Sequence, residues 1–143
     1  MTENAKRGVV HAFCDAVSSR DPGRLAAVID DNIEWTLFGP IDLFPFFGQR
    51  RGKAAVIATC DRIADTLSFI RCEKETLLVD GSRAAGLVRL NAVDTRTGRS
   101  LSLRLALFAE FREGQLIAMK GLLDSFDAVE QALGHHIDLS DVA

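Results

Sequence analysis

The second half of the chain constrains the fold most, because it reads as four consecutive β-strands joined by short turns. The strand patterns cover 69–80, 83–94, 100–112 and 115–124. Turn dipeptides stand between them, at Asp80-Gly81, Thr97-Gly98 and Glu113-Gly114. Because such short connections join antiparallel neighbours, the sequence predicts a four-stranded meander.

The first half is predicted to be mostly helical. Apolar residues recur at helical spacing from Asn4 to Ser18 and, most strongly, from Lys53 to Leu67, a pattern that puts Cys60 in the core. Asp21 before Pro22 is a good N-cap with proline at the first helical position, which indicates a short helix ending near Ile29.

A first strand over Asn32–Leu37 and a last helix over Ser125–Leu133, stopped by Gly134, complete the predicted elements. The segment "FGPIDLFPFFGQRRG" between the strand and the third helix reads as a long loop. It contains four phenylalanines, so we expect it to cover something. Helices segregated from antiparallel strands predict an α+β fold, with one domain over residues 1–143.

Composition excludes several classes of partner. The net charge of -3 provides no basic field for nucleic acid, and no apolar run approaches the roughly 20 residues of a membrane helix. The polar, acidic start is unlike a signal peptide. Three widely spaced cysteines, Cys14, Cys60 and Cys72, fit a reducing compartment. We therefore expect a cytoplasmic protein without nucleic-acid or membrane partners.

The strand over Ser100–Arg112 has one continuously apolar face, formed by Leu101, Leu103, Leu105 and Leu107. A face of this kind must be buried. It packs either against the helices of the same chain or against a second subunit, and we expect a homodimer through one sheet face.

Polar residues on the third and fifth predicted strands, 83–94 and 115–124, form a candidate charged constellation. Arg89 and Asn91 share one side of their strand, and Asp124 shares a side with Lys120 and Leu122. If both sides face the same way, Arg89 and Asn91 converge on Asp124, and the arginine gains a partner that holds the carboxylate ionised. The alternatives are an arginine on a solvated face and an aspartate that caps the following helix.

Three stretches resemble the SnoaL-like and ketosteroid-isomerase-like superfamily: "AFCDAVSSRDPGRLAAVIDDNIEWTLFGP", "PFFGQRRGKAAVI" and "GQLIAMKGLLDSFDAVEQALG". Each is a loose motif, but their order and spacing extend over nearly the whole chain. The resemblance implies a curved, mixed, mainly antiparallel sheet wrapped around helices, forming a cone with an apolar pocket. It also implies an enzyme that acts on a small molecule without a cofactor. Many members of the superfamily are homodimers.

The ending resembles SnoaL-like polyketide cyclases, in which an aspartate at the end of the last strand is the acid/base. Asp124 matches that position, which implies an isomerase, cyclase or lyase acting on an apolar cyclic, polyketide-like or terpenoid compound. Relatives of limonene epoxide hydrolase carry Arg-x-Asp on an earlier strand, where this chain reads Arg89-Leu90-Asn91. Asparagine cannot protonate an opening epoxide, so that alternative requires a modified triad.

The remaining candidate residues would contact the substrate. The resemblance favours Thr36, with Trp35 on the opposite face as the alternative. Phe38 and Phe47, with Phe44 and Phe46, would form a lid or simply pack the end of the cone. Further candidates are Phe108, Leu122 and Lys120, the last as a contact for an anionic group or as a solvated strand end.

No metal or cofactor is expected, since the adjacent His135 and His136 do not share a face and no nucleotide-binding fingerprint occurs. A third hypothesis is a pocket that binds a ligand, or a dimerisation module, without chemistry.

Overall fold

The structure is a computed structural model that describes residues 2–142, apart from the side chains at positions 3, 5, 6, 9, 13, 14, 17 and 18. Its elements follow one another as α1 (Glu3–Ser19), α2 (Pro22–Val28), β1 (Ile29–Phe38), β2 (Gly48–Arg51), α3 (Lys53–Thr66), β3 (Leu67–Asp80), β4 (Arg83–Asp94), β5 (Ser100–Arg112), β6 (Gln115–Leu123) and α4 (Ser125–Leu133).

All six strands form one sheet in the order β2-β1-β6-β5-β4-β3. The β3 to β6 meander is antiparallel, as the turn dipeptides predict, whereas β1 runs parallel to β6. The predicted α+β class with a mixed, mainly antiparallel sheet is confirmed.

The predicted bounds of β4, β5 and α4 coincide with the structure, and β1 extends beyond its predicted ends. The long loop contains an element that the sequence pattern did not reveal. Residues Gly48–Arg51 form β2, which pairs antiparallel with β1. A four-residue edge strand of sequence GQRR carries no apolar alternation, so periodicity offers no signal for it.

Strand alternation gives the sheet a concave, helix-covered face and an outer face. Ile33, Trp35 and Leu37 of β1 point into the concave face, where all three are buried. Helix α3 places its apolar stripe on this face, and Cys60 is buried there as predicted. The core therefore lies between the sheet and α3, and it includes Leu101 and Leu103 of β5.

Phe44, Phe46 and Phe47, here called the aromatic cluster, lie in the loop between β1 and β2 and are all buried. Their ring centroids are 5.1 to 6.1 Å apart. Turn hydrogen bonds, from Phe44 N to Pro40 O and from Phe47 N to Phe44 O, make the loop compact. This phenylalanine-rich loop is expected from its sequence to cover another part of the fold. The three phenylalanines do so, because they are buried in the core.

Helix α4 packs beside the part of β5 that β6 does not reach, because β6 ends at Leu123 opposite Leu105. The side-chain amide of Gln131 takes the place of a neighbouring strand there. It accepts from Ser102 N at 2.7 Å and donates to Ser102 O at 2.8 Å. Asp127, in the first turn of α4, accepts from the same amide at 2.7 Å.

Candidate ligand-binding site

A cavity of about 100 Å³ lies between the concave face of the sheet, α3 and the aromatic cluster. Its wall combines residues from both halves of the chain: Trp35, Leu37, Phe44, Phe46, Phe47, Ile63, Leu67, Phe69, Cys72, Val88, Leu90, Leu103, Leu105, Leu107, Met119 and Leu123.

The chemistry of this wall is almost entirely apolar. Cys72 is the one lining residue with a titratable group, and the indole of Trp35 supplies a polar N–H. A site of this composition stabilises apolar ligands through burial and dispersion, and contributes little that would bind a charged one.

Two of the seven predicted substrate-contacting residues, Trp35 and Phe47, lie in this wall. The other five do not line this cavity: Thr36, Phe38, Phe108, Leu122 and Lys120. These five belong to the outer face because each strand alternates, and their neighbours Trp35, Leu37, Leu107, Met119 and Leu123 occupy the concave face. Periodicity separates the two faces of a strand but does not say which one is covered.

Asp124 is exposed and occupies the N-cap position of α4. Its carbonyl accepts from Ala128 N, but its side chain makes no capping hydrogen bond. The preceding residue, Leu123, lines the cavity. Asp124 therefore follows the last lining residue of β6 by one position and does not itself line the cavity.

Arg89 and Asn91 point to the outer face of β4, while Val88 and Leu90 take the cavity positions. The expected ion pair between Arg89 and Asp124 is wrong, because Arg89 Nε pairs with Glu75 Oε1 at 3.1 Å. Its Nη1 also donates to Ser102 Oγ at 2.9 Å.

Strand β5 explains why Arg89 and Asp124 do not meet. Arg104 pairs with Arg89 across β4 and β5, and its carbonyl accepts from Asp124 N on the other side. Two strand spacings, about 10 Å, therefore separate Arg89 from Asp124. The sequence pattern puts Arg89 and Lys120 on one face, as in the structure. The predicted meander already contains the strand between β4 and β6, so the expected convergence required side chains to reach across two strand spacings.

Phe108 and Lys120 line a different feature, an open groove of about 510 Å³ that includes Leu78, Arg83 and Glu110. Phe108, Leu122 and Phe38 have exposed fractions of 51%, 45% and 51%. The outer face therefore presents aromatic and aliphatic side chains to its surroundings.

The sequence reasoning missed a buried charge next to the site. Asp94 is 1% exposed and binds Arg96, which reaches the loop that carries the aromatic cluster. Hydrogen bonds from Arg96 hold the pKa of the Asp94 carboxyl below its usual range, against the opposing effect of burial. The pair looks like ordinary turn composition, so its only sequence signal is the Asp-x-Arg spacing.

Across residues 2–142, setting aside the undescribed α1 side chains such as that of Cys14, no cluster of three or more His, Cys, Asp or Glu is placed to hold a metal ion. No helix in the described part of the chain is long and apolar enough to cross a membrane.

The sequence profile of the SnoaL-like domain matches residues 10–119, which is most of the chain. The chain belongs to the SnoaL-like domain family. The resemblance to the SnoaL-like superfamily is thereby confirmed, and the match includes the first two of the three stretches in full and the start of the third. No curated protein matches the chain by sequence.

Solved structures place this SnoaL-like protein in the NTF2-like, ketosteroid-isomerase-like fold. A proposed isomerase from Rhodopseudomonas palustris is 44% identical, with a TM-score of 0.85 over 94% of this chain and 100% of its own. An NTF2-like protein of unknown function from Burkholderia pseudomallei is 18% identical, with a TM-score of 0.79 over 92% and 98%. An LEH-like epoxide hydrolase from M. tuberculosis is 17% identical, with a TM-score of 0.75 over 93% and 92%.

Proposed function

We propose that this SnoaL-like protein binds a small, apolar, cyclic molecule in the cavity behind the aromatic cluster. The observation that carries the proposal is the composition of the wall, in which fourteen of the sixteen lining residues are aliphatic, Phe or Met and the other two are Trp35 and Cys72. An apolar wall of this kind favours ligands that need no hydrogen-bond partner.

The size of the cavity limits the ligand. An engineered apolar cavity of about 150 Å³ holds one benzene ring, and the cavity here is about 100 Å³. A single ring or a terpenoid skeleton therefore fits only after the wall has moved. The aromatic cluster belongs to a loop rather than to the sheet, so it is the part of the wall expected to move.

Binding is tested with p-xylene and limonene as probes and the polar ring pyridazine as the comparison. Trp35 is the one tryptophan of the chain and lies in the wall, so its fluorescence reports occupancy directly. Both apolar probes are expected to change the emission and to raise Tm with concentration, as a ligand of the native state must. No response to either probe would contradict the proposal.

A pair of leucine substitutions provides the matched control. Leu90→Phe adds a ring to the cavity wall, and Leu139→Phe makes the same change at an exposed position after α4. The first is expected to abolish probe binding while the second leaves it unchanged. Equal binding by both variants would show that the probe binds outside this cavity.

A second candidate function is proton transfer of the isomerase type, with Asp124 as the acid/base. It is supported by the 44% identity to the proposed isomerase and by the position of Leu123, which lines the cavity one residue before Asp124. A substrate that fills the cavity and extends past Leu123 would reach this carboxylate. Arg89 and Asn91 point away from the cavity, so an epoxide-opening Arg-x-Asn arrangement gains no support from their positions.

The catalytic candidate is tested by screening activated cyclic ketones and epoxides with wild type, Asp124→Asn and Asp15→Asn. Asp15 is an exposed carboxylate on α1 and serves as the control. A general base typically contributes about 10²–10⁴-fold, so turnover is expected to fall by that factor in Asp124→Asn alone. Turnover that is equal in all three proteins would remove Asp124 from the mechanism.

We also propose that two copies of the chain associate through the outer face of the sheet. Adjacent strands align Lys120, Phe108, Ala85 and Leu78 in one row, and a second row contains Phe38, Leu122, Ala106 and Leu87. Lys120 is the one charged residue within these two rows, and charged residues of both signs border them, among them the pairs Arg83–Glu110 and Arg89–Glu75. A surface with a largely apolar centre and a mixed-charge rim is complementary to itself.

The association is tested by sedimentation equilibrium of wild type, Leu122→Glu and Leu139→Glu. Leu122 lies in the centre of the proposed interface, whereas Leu139 is an equally exposed leucine after α4. We expect a dimer that only Leu122→Glu dissociates. A monomeric wild type at micromolar concentration would contradict the proposal.

A further inference from the structure

The turn between β4 and β5 contains a charged arrangement that is built from backbone and side-chain hydrogen bonds. Asp94 N donates to Arg99 O and Gly98 N donates to Asp94 O, which closes the turn. The buried Asp94 carboxylate then accepts from Arg96 N and Nε at Oδ1 and from Arg96 Nη2 at Oδ2, each at 3.0 Å. The fork of two side-chain hydrogen bonds fixes the plane of the guanidinium.

The fixed guanidinium has one nitrogen left, and it reaches a segment more than fifty residues away in sequence. Arg96 Nη1 donates to Leu43 O at 2.7 Å, and Arg96 Cζ lies 5.1 Å from the centroid of the Phe44 ring. A carbonyl acceptor and an aromatic face are both favourable partners of a guanidinium. Leu43 and Phe44 belong to the loop that carries the aromatic cluster.

We propose that Asp94 and Arg96 form a latch that holds the aromatic cluster against the cavity and thereby controls access to it. Asp94 orients Arg96, and Arg96 binds the loop through Leu43 and Phe44. Because Phe44 packs on both Phe46 and Phe47, a contact made to Phe44 acts on all three rings. Arg96 is a positioning residue in this arrangement, since it contacts the loop and not the cavity.

The loop has the features of an element that moves as one body. Its internal hydrogen bonds run from Leu43 N and Phe44 N to Pro40 O and from Phe47 N to Phe44 O, so release of the latch need not break them. Its two ends are fixed in β1 and β2. The role of the latch in controlling ligand access rests on the proposed ligand site. The contacts by which Arg96 holds the loop do not depend on that proposal.

Trp35 provides the test, because it is 3% exposed and lies in the wall that the aromatic cluster covers. Acrylamide quenching of its fluorescence measures access to the cavity without any ligand. Loss of a hydrogen bond to a charged group is expected to raise the open population about tenfold, so Arg96→Gln should increase the quenching constant several-fold. Amides in residues 39–47 should also exchange faster with solvent.

Arg99→Gln is the matched control from the same turn. Arg99 Nη1 donates to Ala132 O, so the side chain of this residue anchors the turn to α4 and not to the loop. We expect Arg99→Gln to leave the quenching of Trp35 and the exchange of residues 39–47 at wild-type values. If both variants change the two measurements equally, the effect is loss of the turn and the latch is overturned.

Arg96→Lys keeps the positive charge but cannot donate the paired guanidinium hydrogen bonds to Asp94. This variant is measured in place of Arg96→Gln if the latter does not fold. An intermediate increase in quenching supports the latch, and quenching equal to wild type in every folded Arg96 variant overturns it. The rate of p-xylene entry, followed by Trp35 fluorescence, should rise in parallel. If p-xylene binds no variant while quenching rises in Arg96→Gln, the latch is supported and the proposed ligand site fails.

Discussion

Gly39 lies directly against the ring of Phe47, so closely that a Cβ at position 39 would come within 2.6 Å of the ring. Gly39 follows β1 at the start of the loop, and Phe47 ends the same loop before β2. The contact is therefore one of backbone against ring, and it sets how closely the aromatic cluster folds back onto the sheet.

Gly39→Ala should displace the Phe47 ring and loosen the wall of the cavity. Overpacking of a buried contact costs about 1–3 kcal/mol, so thermal unfolding should show a lower Tm, and Trp35 emission should shift because the same wall holds both rings. Gly8→Ala is the control, since nothing lies within 4 Å of a Cβ at that position of α1. It should stabilise the protein by about 0.5–1 kcal/mol. A Gly39→Ala protein as stable as wild type would show that the ring relocates freely.

Gln131 should be a strong determinant of stability, because its amide satisfies both backbone groups of Ser102 at the edge of β5. Gln131→Met keeps the length of the side chain and leaves those groups without this partner, at a cost of about 1–3 kcal/mol. Urea unfolding measures the change. The same substitution at Gln49, an exposed position of the edge strand β2, should cost less than about 0.5 kcal/mol. Equal costs at the two positions would contradict the assigned role.

The Asp94 carboxylate should make stability depend on pH. Arg96 hydrogen bonds lower its pKa in the folded state, and Arg99 adds to the shift. The stabilisation is therefore complete above the ordinary carboxyl pKa of about 3.9 and is lost as pH falls through the lower folded-state value. Asp94→Asn should be less stable than wild type at pH 7, and the difference in unfolding free energy should narrow below about pH 4. If the difference in unfolding free energy stays constant as the pH is lowered, the stability does not depend on ionisation of Asp94 and the prediction is wrong.

Cys60 should resist alkylation in the native protein. Burial, with a smaller contribution from Asp61, raises the pKa of its thiol to about 12, so only about one molecule in 10⁴ is a thiolate at pH 8. Peptide mapping after iodoacetamide treatment should find Cys60 unmodified in native buffer and modified in 6 M guanidinium. Rapid native modification would place this thiol outside the core.

Local patterns identify most elements of this fold because each depends on neighbouring residues. The Asp21-Pro22 start of α2 and the Asp80-Gly81 turn act within a few residues, and the structure confirms both. Strand β2 is the exception, since its GQRR sequence becomes a strand only by pairing with β1. Its formation depends on β1, which lies outside the few residues over which a local sequence pattern acts.

The candidate site also combines features that the sequence predicts with features that depend on packing. The alternation of β4 separates Arg89 and Asn91 from Val88 and Leu90, and the structure preserves that separation. Which pair meets the cavity depends on the face that α3 covers, and this is a property of packing between elements. The pairing of Arg89 with Glu75 joins the neighbouring strands β4 and β3, at a register shift of β3 between Lys74 and Thr76 that the sequence pattern does not predict.

The amino-acid sequence by itself determined the helices, the four-stranded meander and the family to which the chain belongs, because hydrophobic periodicity, turn residues and motif order are local or linear properties. Only the tertiary structure decided that Trp35 and Phe47 line the cavity, that Asp124 does not, and that Arg96 binds the aromatic loop. Those relationships join segments far apart in the chain, and they are fixed by which faces are buried together.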